Sequence, residues 1–133
     1  MFSVPTKTQY GIRALVHLAR MESRTANSAE IAKAEGIPAK YLEGIMGLLK
    51  TSGLVASERG KNGGYRLAKS PDELLMIEIV QALEGQILPV DCVFDSASCA
   101  QGGACLPRRF WLGLKGAIDG YLASKTLKDV IEA

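Results

Sequence analysis

Cys92, Cys99 and Cys105 are the only cysteines in the chain, and they share one 14-residue stretch, CVFDSASCAQGGAC. Their spacing is C-x6-C-x5-C. Gly102 and Gly103 give the intervening backbone the freedom to bring three thiols to one point. An odd number of thiols cannot all pair in intramolecular disulfides, and MFSVPTKTQY does not read as a signal peptide, so the expected compartment is the reducing cytoplasm. Clustered thiols there usually mean metal or redox chemistry. Structural zinc sites space their ligand pairs two to four residues apart, and no C-x-x-C is present. Longer gaps on an irregular loop suit an iron–sulfur cluster that takes three thiolates from this segment, with zinc as the second reading. Plain packing of small buried cysteines is the third. Asp91, Asp95, Ser96, Ser98 and Gln101 make the stretch too polar for it.

The rest of the chain must position those thiols. At 133 residues, 47% hydrophobic and 23% charged, it is long enough for one globular domain with a real core. It has no apolar run long enough to span a bilayer, so no membrane partner is expected. The net charge of +2 conceals a segregation. Residues 1–70 carry eleven Lys and Arg against five Asp and Glu, and residues 71–133 carry five against nine. A basic half suits a polyanion. An enzyme, such as a thiol-dependent oxidoreductase, is disfavoured. There is no C-x-x-C, no glycine-rich nucleotide loop and no Cys-His-acid set beyond one distant histidine.

In the basic half, Thr6 and Gln9 have the spacing of a capping box for a first helix running to about Met21. Asn27 and Glu30 open a second helix that Gly36 stops. Pro38 suits the first turn of a third, in which Leu42, Ile45, Leu48 and Leu49 form a buried stripe before Gly53. LVASE and YRLAK then read as two strands around the basic tip RGKNGG, with Asn62-Gly63 as the turn signal. The expected fold class is mainly α with a small β-hairpin wing: a winged helix-turn-helix followed by a long C-terminal helix. Ser70-Pro71-Asp72-Glu73 signals a helix start, and either one helix runs to Leu83 or a turn precedes a helix near Ile77. Ile77, Val80 and Leu83 are its expected stripe, with Gly85 as its stop.

If Leu42, Ile45 and Leu49 face inward, then Pro38, Ala39, Lys40, Tyr41, Glu43 and Gly44 lie at the exposed N-terminal end of the third helix, where a recognition helix meets base edges. Glu43 could accept from cytosine, while Lys40, Arg59 and Lys61 would meet phosphates or enter a groove. Ser28, Gly60, Gly63, Gly64 and Tyr65 complete the expected DNA-facing set. Beyond Cys105, Pro107 opens a last helix with Trp111, Leu114, Ile118 and Tyr121 stepping by three, four and three, and Phe110, Ala117 and Leu122 widening the stripe. With little else to cover it, that stripe is expected to pair with its copy in a homodimer. The expected divisions are a DNA-binding domain over 1–85, a cysteine-rich loop over 86–106, and a dimerisation helix and tail over 107–133.

Taken together, KTQYGIRAL, SAEIAKAEGIPAKYLEGIMGLLKTSGLV, RGKNGGYRLAKSP, IVQALEG and a three-cysteine loop running into CLPRRFW resemble the IscR/NsrR-type winged-helix transcription regulators over nearly the whole chain. The resemblance implies a homodimer on a palindromic double-stranded operator. It also implies a [2Fe-2S] cluster held by Cys92, Cys99 and Cys105 whose state sets DNA affinity. Lys40, Tyr41, Glu43, Arg59 and the wing from Gly60 to Gly64 correspond to DNA contacts. The first inter-cysteine gap has six residues where the family usually has five. The position of a fourth-ligand histidine in some members is Arg108, which stays protonated. Where other members use the partner's first helix, this chain has Gln9 and Arg13; its only histidine, His17, lies further along. A lone helical histidine is more often structural than ligating, so the fourth ligand is unassigned. The same fold with bare thiols or zinc as the sensor is the alternative.

Overall fold

The computed structural model describes residues 3–21, 25–60, 63–85 and 106–133. Helices α1 (Thr6–Arg20), α2 (Ser28–Glu35) and α3 (Ala39–Thr51) precede an antiparallel hairpin of β1 (Val55–Glu58) and β2 (Gly64–Leu67). Val55 pairs with Leu67 and Glu58 with Gly64. A 3-10 turn over Pro71–Glu73 leads into α4 (Met76–Glu84), and α5 (Leu106–Ala123) and α6 (Leu127–Glu132) close the chain. The core gathers Ala14, Leu15 and Leu18 of α1, Ile31 of α2, Leu42, Ile45, Met46 and Leu49 of α3, and Ile79 and Leu83 of α4. This is the winged helix-turn-helix expected from the sequence.

Several local signals act as the residues suggest. Asn27 caps α2 by accepting from the Glu30 N–H at 2.8 Å, and its side-chain amide donates back to Glu30 Oε1 at 3.1 Å. Gly36 ends α2 at φ 65°, a left-handed conformation that costs glycine nothing, and its placement lets α3 start after two residues. Of the two readings around Pro71, the structure adopts the turn followed by a separate helix.

Other expectations are corrected. Thr6 and Gln9 form no capping box: Pro5 occupies the cap position with no side-chain bond, and the Gln9 amide donates to the Val4 carbonyl at 2.7 Å. Pro38 sits one place earlier than expected, at the N-cap of α3. Leu48 is 39% exposed because Met46 takes its place in the buried stripe. On α4 the buried positions are Met76, Ile79, Val80 and Leu83; Ile77 is turned only partly inward.

The segment around α6 returns to the main core, a feature absent from the sequence reading. Leu127 is fully buried in the main core. Its N–H donates to Leu74 O at 2.9 Å, Met76 N–H donates to Lys125 O at 2.9 Å, and Leu75 and Thr126 form an antiparallel bridge. A capping box starts α6, with Asp129 N–H donating to Thr126 Oγ1 and Thr126 N–H donating to Asp129 Oδ2. Bonds donated by Thr126 hold the Asp129 carboxyl below its ordinary range. A depressed carboxylate contributes stability above its unfolded pKa of about 3.9, and that contribution disappears as pH falls through the folded value. Hydrogen-exchange protection of the Leu127 and Met76 amides should therefore drop between pH 7 and about pH 3 in the wild type. In Asp129→Ala it should already be reduced at pH 7. Equal protection in the two proteins at pH 7 would remove the cap from the account of α6 docking.

Candidate nucleic-acid interface

The N-terminal end of α3 projects beyond the core. Pro38, Ala39, Lys40, Tyr41, Glu43 and Gly44 are all exposed, and Leu42 between them is fully buried. A side chain added at Gly44 or Gly47 would meet nothing within 4 Å, so the outer face of α3 is open along its length. Ser28, at the first position of α2, is half-buried beside the Asn27 cap. The outward residues are small, cationic, aromatic and acidic. That mixture can accept and donate at base edges while leaving the backbone free to approach closely.

The wing is anchored from below. Tyr65 and Ala26 exchange both backbone bonds, at 3.0 and 2.7 Å, so β2 pairs on its second edge with the segment preceding α2. Half-buried and packed against the core, Tyr65 holds the wing in place as well as belonging to it. Arg59 and Gly60 are exposed at the tip, Gly63 N–H donates to Gly60 O at 3.0 Å, and Lys61 and Asn62 lie outside the described residues. Arg66 was not among the expected contacts. It stands exposed on β2 with its Nε donating to Glu58 Oε1 at 2.9 Å across the hairpin, a surface pair that orients its guanidinium. Its outward side follows from strand alternation, with Leu67 next to it turned toward the core.

Behind α3, one face of α1 meets the helix-turn-helix corner. The Tyr10 ring lies edge-on to Tyr41, with centroids 5.6 Å apart and planes at 80°. The Arg13 guanidinium sits 5.8 Å from the Tyr10 ring centroid and donates to the Glu35 carbonyl, while its Nε lies 3.6 Å from Glu35 Oε2. His17 Nδ1 is 3.2 Å from Glu35 Oε1. Arg13 and His17, considered above beside the fourth ligand, are thus engaged with the end of α2. Among the described residues no group of three His, Cys, Asp or Glu side chains could hold a metal ion.

The family model for Rrf2, described as an iron-dependent transcriptional regulator, matches residues 4–133. The chain belongs to the Rrf2 family. It is 33% identical over 127 residues to protein rrf2 of Nitratidesulfovibrio vulgaris, covering 95% of this chain and 85% of that one. The structure of CymR, the global cysteine regulator of B. subtilis, superposes with a TM-score of 0.81 at 31% identity over 99% of this chain and 98% of that chain. That of T. potens IscR gives 0.79 at 30% over 98% and 87%. Membership makes the protein a transcriptional regulator rather than an enzyme.

Cys92, Cys99 and Cys105 of this Rrf2-family chain lie outside the described residues, between Gly85 at the end of α4 and Leu106 at the start of α5. No described helix is long and apolar enough to cross a membrane. On α5 the expected apolar stripe is divided. Trp111, Leu114, Ile118 and Leu122 are half-buried, Leu122 against the core, whereas Phe110 is 68% and Tyr121 65% exposed. Ala117, Gly113 and Gly120 lie on the same outward side. The wing's attachment can be tested directly. A Cβ at Gly64 would fall 2.5 Å from the carbonyl carbon of Ala26, backbone that cannot move aside without breaking the Tyr65–Ala26 pairing. Gly64→Ala should destabilise the fold by about 2 kcal/mol, with the loss read in denaturant midpoint. An unchanged midpoint would show that the wing is not held through this contact.

Proposed function

We propose that this regulator binds a palindromic double-stranded operator as a cytoplasmic homodimer, inserting α3 into a major groove and laying the wing along the backbone. Its affinity is governed by a [2Fe-2S] cluster held by Cys92, Cys99 and Cys105. The observation that carries the DNA reading is the exposed run Pro38–Tyr41 with Glu43, standing on a buried α3 stripe beside a wing that carries Arg59 and Arg66. The basic first half of the chain supplies the matching field. Lys40 and Arg59 neutralise phosphate, Glu43 accepts from a base amino group, and Tyr41 offers ring and hydroxyl to the groove. Gly60, Gly63 and Gly64 of the wing follow the backbone, and the Lys61 charge next to them in sequence adds to the phosphate contact.

The donor set suits the cluster. Three thiolates within one 14-residue stretch would provide three of its ligands, and Arg108 and Arg109 follow closely in sequence to offset an anionic site. When bound, such a group supplies chemistry that responds to oxygen, nitric oxide and iron supply. The outward side of α5, with Phe110 and Tyr121 uncovered and Ala117 between them, is the face that pairs with a second copy. Trp111, Leu114 and Ile118 support it from the inner side. A second reading, direct thiol sensing, is favoured by the likeness to a protein described as a global cysteine regulator. Anaerobic purification separates the two: visible absorbance with about two irons per chain supports the cluster. Colourless protein whose operator affinity follows thiol oxidation supports the second reading, and bound zinc supports neither.

Arg59→Ala should weaken binding to operator and random duplex alike and lower the salt dependence by about one unit of slope, because a phosphate contact releases counterions without reading bases. Glu43→Ala should change sequence preference instead. Equal loss on both DNAs for both variants would abolish this division of roles. Phe110→Lys should yield monomers that lose operator affinity, since only a dimer reaches two half-sites about 34 Å apart. A wild type that is already monomeric at micromolar concentration by analytical ultracentrifugation would contradict the pairing of α5.

A further inference from the structure

Burial fixes the backbone of α3 but not the side chains exposed at its N-terminal end. Ile37 is buried just before the helix and Leu42 is its first buried side chain, so Pro38–Tyr41 between them carry no buried side chain, and the N-cap, Pro38, makes no side-chain capping bond. The exposed side chain of Tyr41 therefore takes its lateral support from outside the helix if it is to hold one pose. Tyr10, Arg13 and His17 stand at i, i+3 and i+7 on α1, which puts them on one face of that helix. That face touches the chain on both sides of the turn Gly36-Ile37-Pro38. Before the turn, Arg13 donates to the last carbonyl of α2 and pairs with the Glu35 carboxylate, which His17 also meets. After the turn, the Tyr10 ring meets the ring of Tyr41. The Arg13 guanidinium over the Tyr10 face joins the two contacts into one unit.

We propose that Tyr10, with Arg13 and His17 behind it, is a positioning residue for DNA recognition: this face of α1 holds the helix-turn-helix corner so that Tyr41 and its neighbours present one fixed geometry to base edges. The inference rests on the DNA-binding function proposed above and adds residues that themselves lie behind the interface. Tyr41 is 42% exposed, so its ring has one side on Tyr10 and the other free for the groove. An edge-to-face aromatic pair biases a conformation by on the order of 3- to 10-fold. Such a bias acts on specific binding, which needs the pose. Non-specific binding needs only charge and is largely indifferent to it.

The test uses the full chain, a duplex selected from a random-sequence pool by the wild-type protein, and random duplex DNA as the reference. Tyr10→Phe keeps the ring and should bind both DNAs as the wild type does. Tyr10→Leu should lose roughly 3- to 10-fold on the selected duplex and change less than about 2-fold on random DNA. In a Tyr41→Leu background the same change should cause no further loss. Equal loss on both DNAs, or losses for Tyr10→Leu and Tyr41→Leu that simply multiply, would overturn the proposal. Arg13→Gln, on an exposed side chain, covers the case in which Tyr10→Leu does not fold. It should reproduce the selective loss with an unchanged salt slope, and a slope lowered by about one would instead make Arg13 a phosphate contact and refute its positioning role. A wild type that selects no duplex at all defeats the DNA-binding reading itself, an outcome distinct from variants that keep wild-type selectivity.

Discussion

Burial of one stripe of α1 is the constraint that organises the molecule. Ala14, Leu15 and Leu18 are almost entirely removed from solvent, and α2, α3, α4, β2 and α6 all pack on this helix. A fully buried Leu contributes about 1.5–3 kcal/mol relative to exposure, so these side chains set the placement of every element that meets them. Two other sides of α1 then have assigned neighbours. Thr8, fully buried, donates its hydroxyl to Glu84 Oε1 at 2.7 Å, which ties the start of α1 to the end of α4. Tyr10, Arg13 and His17 look toward the corner of α2 and α3. The helix that carries no expected DNA contact thereby touches both the reading end of the fold and the residue before Gly85, where the cysteine segment begins.

What could be read from residues alone was whatever local chemistry decides. Asn27 with Glu30, Gly36, and Pro71 after Ser70 each act within a few residues of themselves, and the winged helix follows from their order. Stripe centres were harder. Leu48 and Met46 flank the α3 stripe on opposite sides, and periodicity permits either to be buried; the neighbouring helices choose Met46. On α4 the polar residues Glu78, Gln81 and Glu84 step by three along one side; Ile77 falls among them and Ile79 opposite, so the expected stripe of Ile77, Val80 and Leu83 was centred off the buried face.

The exposed end of α3 was legible because it follows from the buried residues of the same helix. Contacts made across the chain were not. Pairing of Tyr65 with Ala26, and of Arg13 and His17 with Glu35, joins residues that no periodicity relates. The return of α6 did carry a signal, the Thr126-x-x-Asp129 capping box. Six residues of helix after a longer one read as a tail unless the buried position of Leu127 is known. On α5 the apolar positions were visible, but their division into an inner set and an outer set depends on α4 and the core alongside.

For the cysteine segment between α4 and α5 to govern DNA affinity as proposed above, its two states must differ in free energy by as much as the affinities they impose. A hundredfold change corresponds to about 2.7 kcal/mol. That is the scale of one hydrogen bond to a charged group, about 1.5–3 kcal/mol, so no wholesale refolding of the core is required. On the sensing function proposed above, the Thr8–Glu84 bond is placed to convey such a difference, because Glu84 is one residue from Gly85 and Thr8 is two residues from Tyr10 on the same helix. A displacement at the end of α4 reaches α1 through a short, part-buried contact to a carboxylate, and α1 is rigid over the turn that separates Thr8 from Tyr10. The opposing demand comes from Leu15 and Leu18, which hold the rest of α1 in the core. Thr8 and Gly11 are buried as well, so any such movement of the first turns of α1 is confined to a small shift beside Tyr10.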